Sequence, residues 1–294
     1  MAITVSQLNV YPVKGLRGIA VDATHATERG LARDRRFVVV DREGRFLSQR
    51  ELPLMATVWT EIAGDALLLA APDFDEIRVP LDPAVGEPLR ATVWDSECAA
   101  IAPSPEADRW FSEVLGRPCR LAYMPDTTRR TSNPRHAGPG RLVGFADGYA
   151  YLVVSEASLA ALNARLDRPV PLDRFRANIV VRGCEPFAAD GWGEFSVGAA
   201  RLRMAKPCGR CQVTTTDQAT GEVTGPEPLA TLSAWRMSPE FGARFGMNAV
   251  TLAPGAIRVG DAAVPPSGAL SASACTARRS RPRLTAAPPS GATM

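Results

Sequence analysis

The 294-residue sequence predicts a mixed, β-rich α+β fold. Short runs of strand-forming residues recur at regular intervals through the first hundred residues, which is typical of a small barrel or sandwich. Segments with helical spacing near residues 104–115 and 156–166 interrupt the strands of the second half. The chain is long enough for one large domain or two moderate ones, and an apolar share of 46% can fill a sizeable core.

The N-terminal strands are indicated by alternation and by turn residues. Residues 3–10 alternate apolar and polar side chains, and Pro12 and Gly15 then interrupt the strand-like sequence. Residues 36–40 and 45–48 flank an Asp-Arg-Glu-Gly turn, which predicts a hairpin with Gly44 at a positive φ. Further strands are predicted at residues 66–69, 76–79 and 89–94.

The second half combines helices with strands. Ser104 is expected to cap a helix over residues 104–115, and Gly116 can end it. Ser155 is expected to cap a second helix up to residue 166. Strands are predicted at residues 151–154, 178–181, 201–204 and 256–259, a third helix at 228–236, and a long loop at 125–148.

The composition excludes several classes of protein. A formal net charge of +3, without a basic stripe interleaved with aromatic residues, predicts no nucleic-acid partner. No secretory signal is visible, and no run of 18 apolar residues predicts a membrane span. Six cysteines in a chain of this length do not make a disulfide scaffold. A reducing, cytoplasmic location with free thiols is therefore expected.

The most informative segment runs from Lys206 to Asp217 and reads Lys-Pro-Cys-Gly-Arg-Cys-Gln-Val-Thr-Thr-Thr-Asp. Its cysteines, Cys208 and Cys211, offer thiolates, which are soft ligands suited to transition metals. Arg210 offers a planar fork of donors that suits phosphate, and the threonines add hydroxyls. A metal, a phosphate and a polar heterocycle could all be bound within this segment. The molybdenum pyranopterin cofactor carries all three.

Other interpretations of the cysteine pair stay open on the residues alone. Structural zinc needs four ligands, and neither the remaining cysteines nor His25 and His136 form a second pair. A redox dithiol usually opens a helix, whereas the Val-Thr-Thr-Thr run at residues 213–216 favours a strand. The third alternative is a pair of ordinary cysteines at a strand end.

Three further segments become informative when they are considered together with the cysteine motif. They are Tyr-Pro-Val-Lys-Gly at residues 11–15, Gly-Leu-Ala-Arg-Asp-Arg-Arg-Phe at 30–37, and Phe-Arg-Ala-Asn at 175–178. Each places a basic or amide side chain at the edge of a predicted strand. Together, and in this order, the motifs resemble the MOSC family, and most closely its two-part members, the YcbX-like and amidoxime-reducing-component-like proteins.

The resemblance covers about residues 3–262 and implies the domain organisation. Residues 1–98 are expected to form a MOSC N-terminal β-barrel-like domain. Residues 99–265 are expected to form the MOSC β-barrel domain with peripheral helices. The Ser-, Ala-, Pro- and Arg-rich remainder, residues 266–294, is predicted to be a disordered tail.

The resemblance also implies the site. It selects Cys211 as the molybdenum ligand and catalytic residue, a choice that the residues alone do not make. Where relatives carry serine this chain has Gly15, so any contact there must come from its backbone. The implied cofactor-binding residues are Lys14, Gly15, Arg35, Asp147, Gly148, Tyr149, Arg176, Asn178 and Arg210, with Thr214 and Thr215 as further donors.

The implied activity is reduction of N-hydroxylated compounds, such as amidoximes or N-hydroxylated base analogues. Only Cys275 lies beyond residue 260, and a 2Fe–2S cluster needs four ligands. Electrons are therefore expected from a separate protein of ferredoxin or flavoprotein type. The alternatives are a cofactor carrier or sulfur-transfer module without reductase activity, and a metal-free structural β domain.

Overall fold

A computed structural model describes residues 2–266 of the chain. The predicted tail, apart from its first residue, lies outside the described residues. Residues 2–266 are mostly β-structure with four short α-helices, so the predicted β-rich α+β class is confirmed. None of these helices combines the length and apolarity needed to cross a bilayer.

The described residues form twenty strands. They are β1 (Thr4–Val10), β2 (Val13–Lys14), β3 (Ile19–Val21), β4 (Ala23–Thr27), β5 (Gly30–Leu31), β6 (Phe37–Val40), β7 (Trp59–Ala63), β8 (Ala66–Ala71), β9 (Phe74–Pro80), β10 (Glu87–Val93), β11 (Ser96–Ala102), β12 (Arg120–Tyr123), β13 (Tyr151–Ser155), β14 (Ile179–Arg182), β15 (Glu194–Val197), β16 (Ala200–Gly209), β17 (Met237–Ser238), β18 (Gly242–Ala253), β19 (Gly255–Arg258) and β20 (Ala263–Val264).

The helices are short and lie between the strands. They are α1 (Pro105–Val114), α2 (Pro134–Ala137), α3 (Glu156–Asn163) and α4 (Leu229–Trp235), with 3-10 turns at Pro53–Thr57, Leu172–Phe175, Ala188–Gly191 and Gln212–Thr215. Ser104 caps α1 as predicted, since its hydroxyl accepts from the Ala107 N–H at 3.1 Å. Gly116 follows at a φ of 64°, so the predicted end of that helix is also confirmed.

A nine-stranded sheet forms the centre of the second half. Its order is β20-β15-β16-β18-β13-β14-β1-β3, with β17 added beside β18. The N-terminal strand β1 thus pairs antiparallel with β14, Leu8 lying opposite Ile179. Successive residues of β13 and β14 enter different core clusters, as Val153 and Val154 do, so these central strands are buried on both faces.

The N-terminal half is built on two smaller sheets, β10-β11-β12-β6-β2 and β7-β8-β9. Helix α1 buries Trp110 and Phe111 in one core cluster with Leu69 and Val79. Strand β4 pairs with β19 near the C-terminal end, so the two halves exchange strands. The division at residues 98 and 99 stays a prediction; strand β11 crosses that position.

The predicted hairpin is present but short, and one helix end was predicted wrongly. Gly44 has the expected φ of 80°, Val40 and Phe46 form an antiparallel bridge, and the Leu47 N–H donates to the Val39 carbonyl at 2.8 Å. The chain then turns, and the Ser48 carbonyl accepts from the Leu52 N–H at 3.0 Å. The second helix, α3, ends at Asn163 rather than at residue 166.

Strand β16, which pairs with β18, ends within the cysteine motif. The pairing shifts register between Met204 and Lys206 and again between Pro207 and Gly209. Such bulges bend a strand and re-aim its side chains, often beside functional sites. Here they precede the turn that presents Cys211.

Candidate functional site

A cavity of about 430 Å³ opens where the two halves of the chain meet. Segments from both halves line it, including the 46–50 segment, the 146–149 loop and the end of β16. Most of the predicted site residues contribute to its wall: Lys14, Gly15, Arg35, Asp147, Gly148, Tyr149, Arg176, Asn178, Arg210 and Cys211.

Both cysteines of the motif are free, partly buried thiols on this wall. Each sulfur accepts a hydrogen bond from a different guanidinium. Arg210 Nη1 lies 3.0 Å from Cys208 Sγ, and Arg50 Nη2 lies 3.2 Å from Cys211 Sγ. The motif therefore presents two thiols, and each has its own cation.

The threonines after Cys211 do not form the predicted strand. Residues Gln212–Thr215 make a 3-10 turn. The Thr214 hydroxyl donates to the Cys211 carbonyl at 2.9 Å, and the Thr215 hydroxyl donates to the Gln212 carbonyl at 2.7 Å. Such local bonds compete with strand pairing. Both side chains are buried outside the cavity wall, so they hold the Cys211 turn instead of facing a ligand.

Two arginines of the cavity share one aromatic ring. The guanidinium carbons of Arg35 and Arg176 lie 4.4 Å and 4.3 Å from the centre of the Tyr11 ring. Both arginines adopt left-handed backbone conformations, with φ of 46° and 56°. Burial, reinforced by the nearby Arg35, lowers the pKa of Arg176 to about 10. Positive φ is uncommon for such residues, and such strain clusters at functional sites.

Asn178 anchors Arg35 beneath the cavity. Its Nδ2 donates to Asp34 Oδ1 at 3.0 Å and to the Asn9 carbonyl at 3.1 Å. Its Oδ1 accepts from Arg35 Nη1 at 2.8 Å and from the Leu152 N–H at 3.2 Å. All four hydrogen-bond positions of the amide are used within the protein. Asn178 thus contributes by fixing Arg35.

The Asp34 carboxylate completes that anchor. It is buried, and burial raises the pKa of its carboxyl. It accepts from Arg35 Nη1 at 2.7 Å and from the Tyr11 N–H at 2.8 Å. These bonds favour the charged form and offset part of the burial effect.

Lys14 and Asp147 form an ion pair on another wall. Burial lowers the pKa of Lys14, although Asp147 opposes the shift. Asp147 is exposed at the rim of the cavity. Its partial desolvation there opposes ionisation, but Lys14 outweighs this effect and holds the pKa of Asp147 well below its usual range. Trp94 Nε1 also donates to Asp147 Oδ1, at 3.2 Å. Asp147 is therefore an anion at neutral pH.

The remaining predicted residues have simpler surroundings. Gly15 has a φ of 86°, and a Cβ there would lie 2.9 Å from Met55 Cε. Its carbonyl accepts from Gln49 Nε2 at 2.7 Å. Burial raises the pKa of Tyr149, whose ring centre is 5.4 Å from Lys206 Nζ. A Cβ at Gly148 would meet nothing within 4 Å, so that part of the wall is open.

Sequence reasoning missed several residues of the cavity and its surroundings: Gln49, Arg50, Trp94, Lys206 and Gln218. Gln49 and Arg50 follow residues 45–48, which the pattern predicts as a returning strand, and polar residues after a strand are expected to face solvent. Lys206 opens the cysteine motif, and it could have been included on that ground. Trp94 and Gln218 carry no sequence signal beyond their residue types.

The donor set limits which metal groups fit. Within residues 2–266, no three His, Cys, Asp or Glu side chains cluster closely enough to hold a metal. Tetrahedral zinc therefore has no ligand set in this part of the chain. Two thiols beside several cations suit a metal group that brings its own further ligands and an anionic part.

The strands, the two-part organisation and this cavity define a MOSC-type protein, and the chain belongs to the MOSC family. Residues 2–118 match the model of the MOSC N-terminal beta barrel domain, and residues 140–264 match the MOSC domain. The family resemblance read from the motifs is thereby confirmed.

Amidoxime-reducing components are among the proteins that this chain resembles. Mitochondrial amidoxime-reducing component 1 of Xenopus laevis is 33% identical over 279 residues, covering 87% of this chain and 80% of the relative. The Mus musculus protein of that name is 34% identical over 278 residues, covering 88% of this chain and 81% of the relative. The Homo sapiens protein is 32% identical over 279 residues, covering 88% of this chain and 81% of the relative. The names support an N-reductive role in this family. They also say mitochondrial, and the cytoplasmic location stays a prediction.

Proposed function

We propose that this protein is a molybdenum-cofactor-dependent oxidoreductase that reduces N-hydroxylated compounds, such as amidoximes or N-hydroxylated base analogues. The observation that carries the proposal is the free thiol of Cys211 in a cavity with more cations than anions. The cationic side chains of the wall are Lys14, Arg35, Arg50, Arg176, Lys206 and Arg210, and the anionic ones are Asp147 and Glu240.

The wall fits an anionic cofactor with a phosphate. Arg176 Nη2 and Arg210 Nε are buried and have no hydrogen-bond partner among the described residues. Unpartnered buried donors are costly, and a phosphate oxygen would satisfy them with charge-assisted bonds. Asp34 and Asn178 already hold Arg35 in place, so binding costs little of its side-chain conformational entropy.

Cys211 would supply the protein's ligand to the metal. When bound, the cofactor would provide two-electron redox chemistry at molybdenum. The Thr214 bond to the Cys211 carbonyl holds the turn that presents the sulfur. Arg35, Arg176 and Arg210 would anchor the anionic part, and Lys14 would remain paired with Asp147.

The reduction consumes two electrons and two protons and releases water from the N–hydroxy group. A separate protein of ferredoxin or flavoprotein type would deliver the electrons. The open face of the cavity would admit the small N-hydroxylated substrate.

The test is turnover by protein produced in a host that makes the cofactor. The loaded protein is given an aromatic amidoxime and a chemical reductant, and the amidine product is measured by chromatography. We expect amidine formation that requires bound molybdenum. Protein that binds molybdenum but forms no amidine, with either a chemical or a ferredoxin-type donor, would instead be a carrier.

A further inference from the structure

Arg50 is the only cation that donates to the Cys211 sulfur among the described hydrogen bonds. Its Nη2 lies 3.2 Å from Cys211 Sγ. Its carbonyl accepts from Gln212 Nε2 at 2.9 Å, which ties the 46–50 segment to the residue after the cysteine. One residue of the N-terminal half therefore contacts the cysteine turn through both its side chain and its backbone.

The Arg50 guanidinium lies over the Trp94 ring. The guanidinium carbon is 4.6 Å from the centre of the Trp94 ring. The ring packs edge-on against Phe46 at 5.0 Å between centres, and its Nε1 donates to Asp147 Oδ1 at 3.2 Å. The indole is thus held on two sides and offers one face to Arg50.

The backbone at Trp94 is unusual for so large a residue. Trp94 and Asp95 form the short turn between β10 and β11, and Trp94 has a φ of 54°. Two-residue hairpin turns with positive φ favour Asn, Asp or Gly. The side chain is also 46% exposed, so core burial does not explain its presence. Strain of this kind persists where the surrounding contacts require it.

We propose that Arg50 sets the electron density on the Cys211 sulfur, and that Trp94 is the positioning residue that holds Arg50 in place. The inference rests on the proposed function, because it assigns Cys211 the role of metal ligand. A cationic donor on a thiolate withdraws charge from the sulfur and orients it. Hydrogen bonds to ligating sulfurs and the groups around them tune metal centres in this way.

The role of the N-terminal half follows from this arrangement. The sulfur comes from the MOSC domain, whereas the guanidinium and the indole come from the segment matched as the N-terminal barrel. Asp147 accepts from both Lys14 and Trp94, so it links the ion pair to the indole. The N-terminal half therefore acts on the thiolate, in addition to closing the cavity wall.

The first test uses metal-free protein, so it does not depend on the cofactor. In a Cys208→Ala background, the alkylation rate of Cys211 by iodoacetamide is measured at one neutral pH, with the site identified by peptide mass. Arg50→Met should slow the reaction several-fold, because the Cys211 sulfur loses the hydrogen bond from Arg50 Nη2 that orients it on the cavity wall. Burial raises the pKa of Cys119 to about 11, so that thiol provides a slow internal reference.

Matched variants separate positioning from packing. Trp94→Phe keeps a ring for Arg50 at the same backbone position and should react at close to the parent rate. Trp94→Leu keeps the same backbone strain but lacks the ring. Its alkylation rate should therefore fall from the parent rate towards the rate of Arg50→Met. Equal rates for Arg50→Met and the parent, with unchanged thermal unfolding, would overturn the proposal, as would equal rates for Trp94→Phe and Trp94→Leu.

The second test uses the loaded enzyme. The midpoint potential of the molybdenum centre is followed by EPR, and Arg50→Met should shift it to a more negative value than wild type. Arg50→Lys restores a positive charge, so its midpoint potential should lie between those of wild type and Arg50→Met. Unchanged potentials at wild-type molybdenum content would contradict the inference. Absence of molybdenum from wild type would instead contradict the proposed function, while the alkylation rates still decide the role of Arg50.

Discussion

Gln49 and Gln218 exchange two side-chain amide hydrogen bonds across the junction between the two halves of the chain. Gln49 Nε2 donates to Gln218 Oε1 at 3.1 Å, and Gln218 Nε2 donates to Gln49 Oε1 at 2.9 Å. Both residues are buried. Gln218 Oε1 also accepts from Arg176 Nη1 at 3.3 Å, so the pair supports one of the cavity's cations.

Breaking this pair should destabilise the protein. Gln218→Leu leaves the Gln49 amide and an Arg176 donor without their partner, and we expect a loss of about 1–3 kcal/mol in the free energy of unfolding. The measurement is urea denaturation of metal-free protein. The double variant with Gln49→Leu should lose less than the sum of the single variants, because it removes both amides together. Additive losses would show that the two side chains are not coupled.

Tyr11 should matter through its ring more than through its hydroxyl. Tyr11→Leu removes the surface over which Arg35 and Arg176 lie, and contacts of this kind contribute roughly 0.5–2 kcal/mol each. We expect the variant to be purified with little molybdenum and pterin. Tyr11→Phe keeps the ring and loses only the bond from the hydroxyl to the Ala177 carbonyl, 3.3 Å long. Equal molybdenum contents in the two variants would contradict the role of the ring.

Gly209 should tolerate no side chain. A Cβ there would lie 2.2 Å from the Phe241 carbonyl oxygen, so Gly209→Ala must displace the backbone between Cys208 and Arg210. We expect a loss of roughly 1–3 kcal/mol in the free energy of unfolding, together with loss of the cofactor. Gly193→Ala is the matched control, because a Cβ at Gly193 meets nothing within 4 Å. Similar melting temperatures for the two variants would refute the steric argument.

The fold class could be predicted because alternation and turn residues are local signals. Ser104 and Gly116 mark the ends of α1, and both act as their residue types suggest. The Val-Thr-Thr-Thr run misled the strand prediction, since β-branched residues favour strands but threonine hydroxyls can also bond to their own backbone. In this chain the hydroxyls of Thr214 and Thr215 bond to the backbone three residues earlier, and a 3-10 turn forms.

The cavity could be predicted only in part. Lys14, Arg35 and Arg176 lie in recognisable motifs, and their positions in the cavity wall agree with the expectation. Their precise roles as cofactor ligands stay predictions. The positions of Arg50 and Trp94 in the site depend on side-chain packing between distant segments. The sequence alone does not predict which polar residue contacts a thiol far away in the chain.

Molybdenum analysis of three proteins made in a cofactor-producing host tests the central claim most directly. Wild type, Cys211→Ala and Cys208→Ala are purified in parallel, and molybdenum per chain is measured by elemental mass spectrometry. We expect stoichiometric molybdenum in wild type, most of it retained in Cys208→Ala, and almost none in Cys211→Ala. Molybdenum in Cys211→Ala equal to that in wild type would contradict the assignment of Cys211 as the metal ligand.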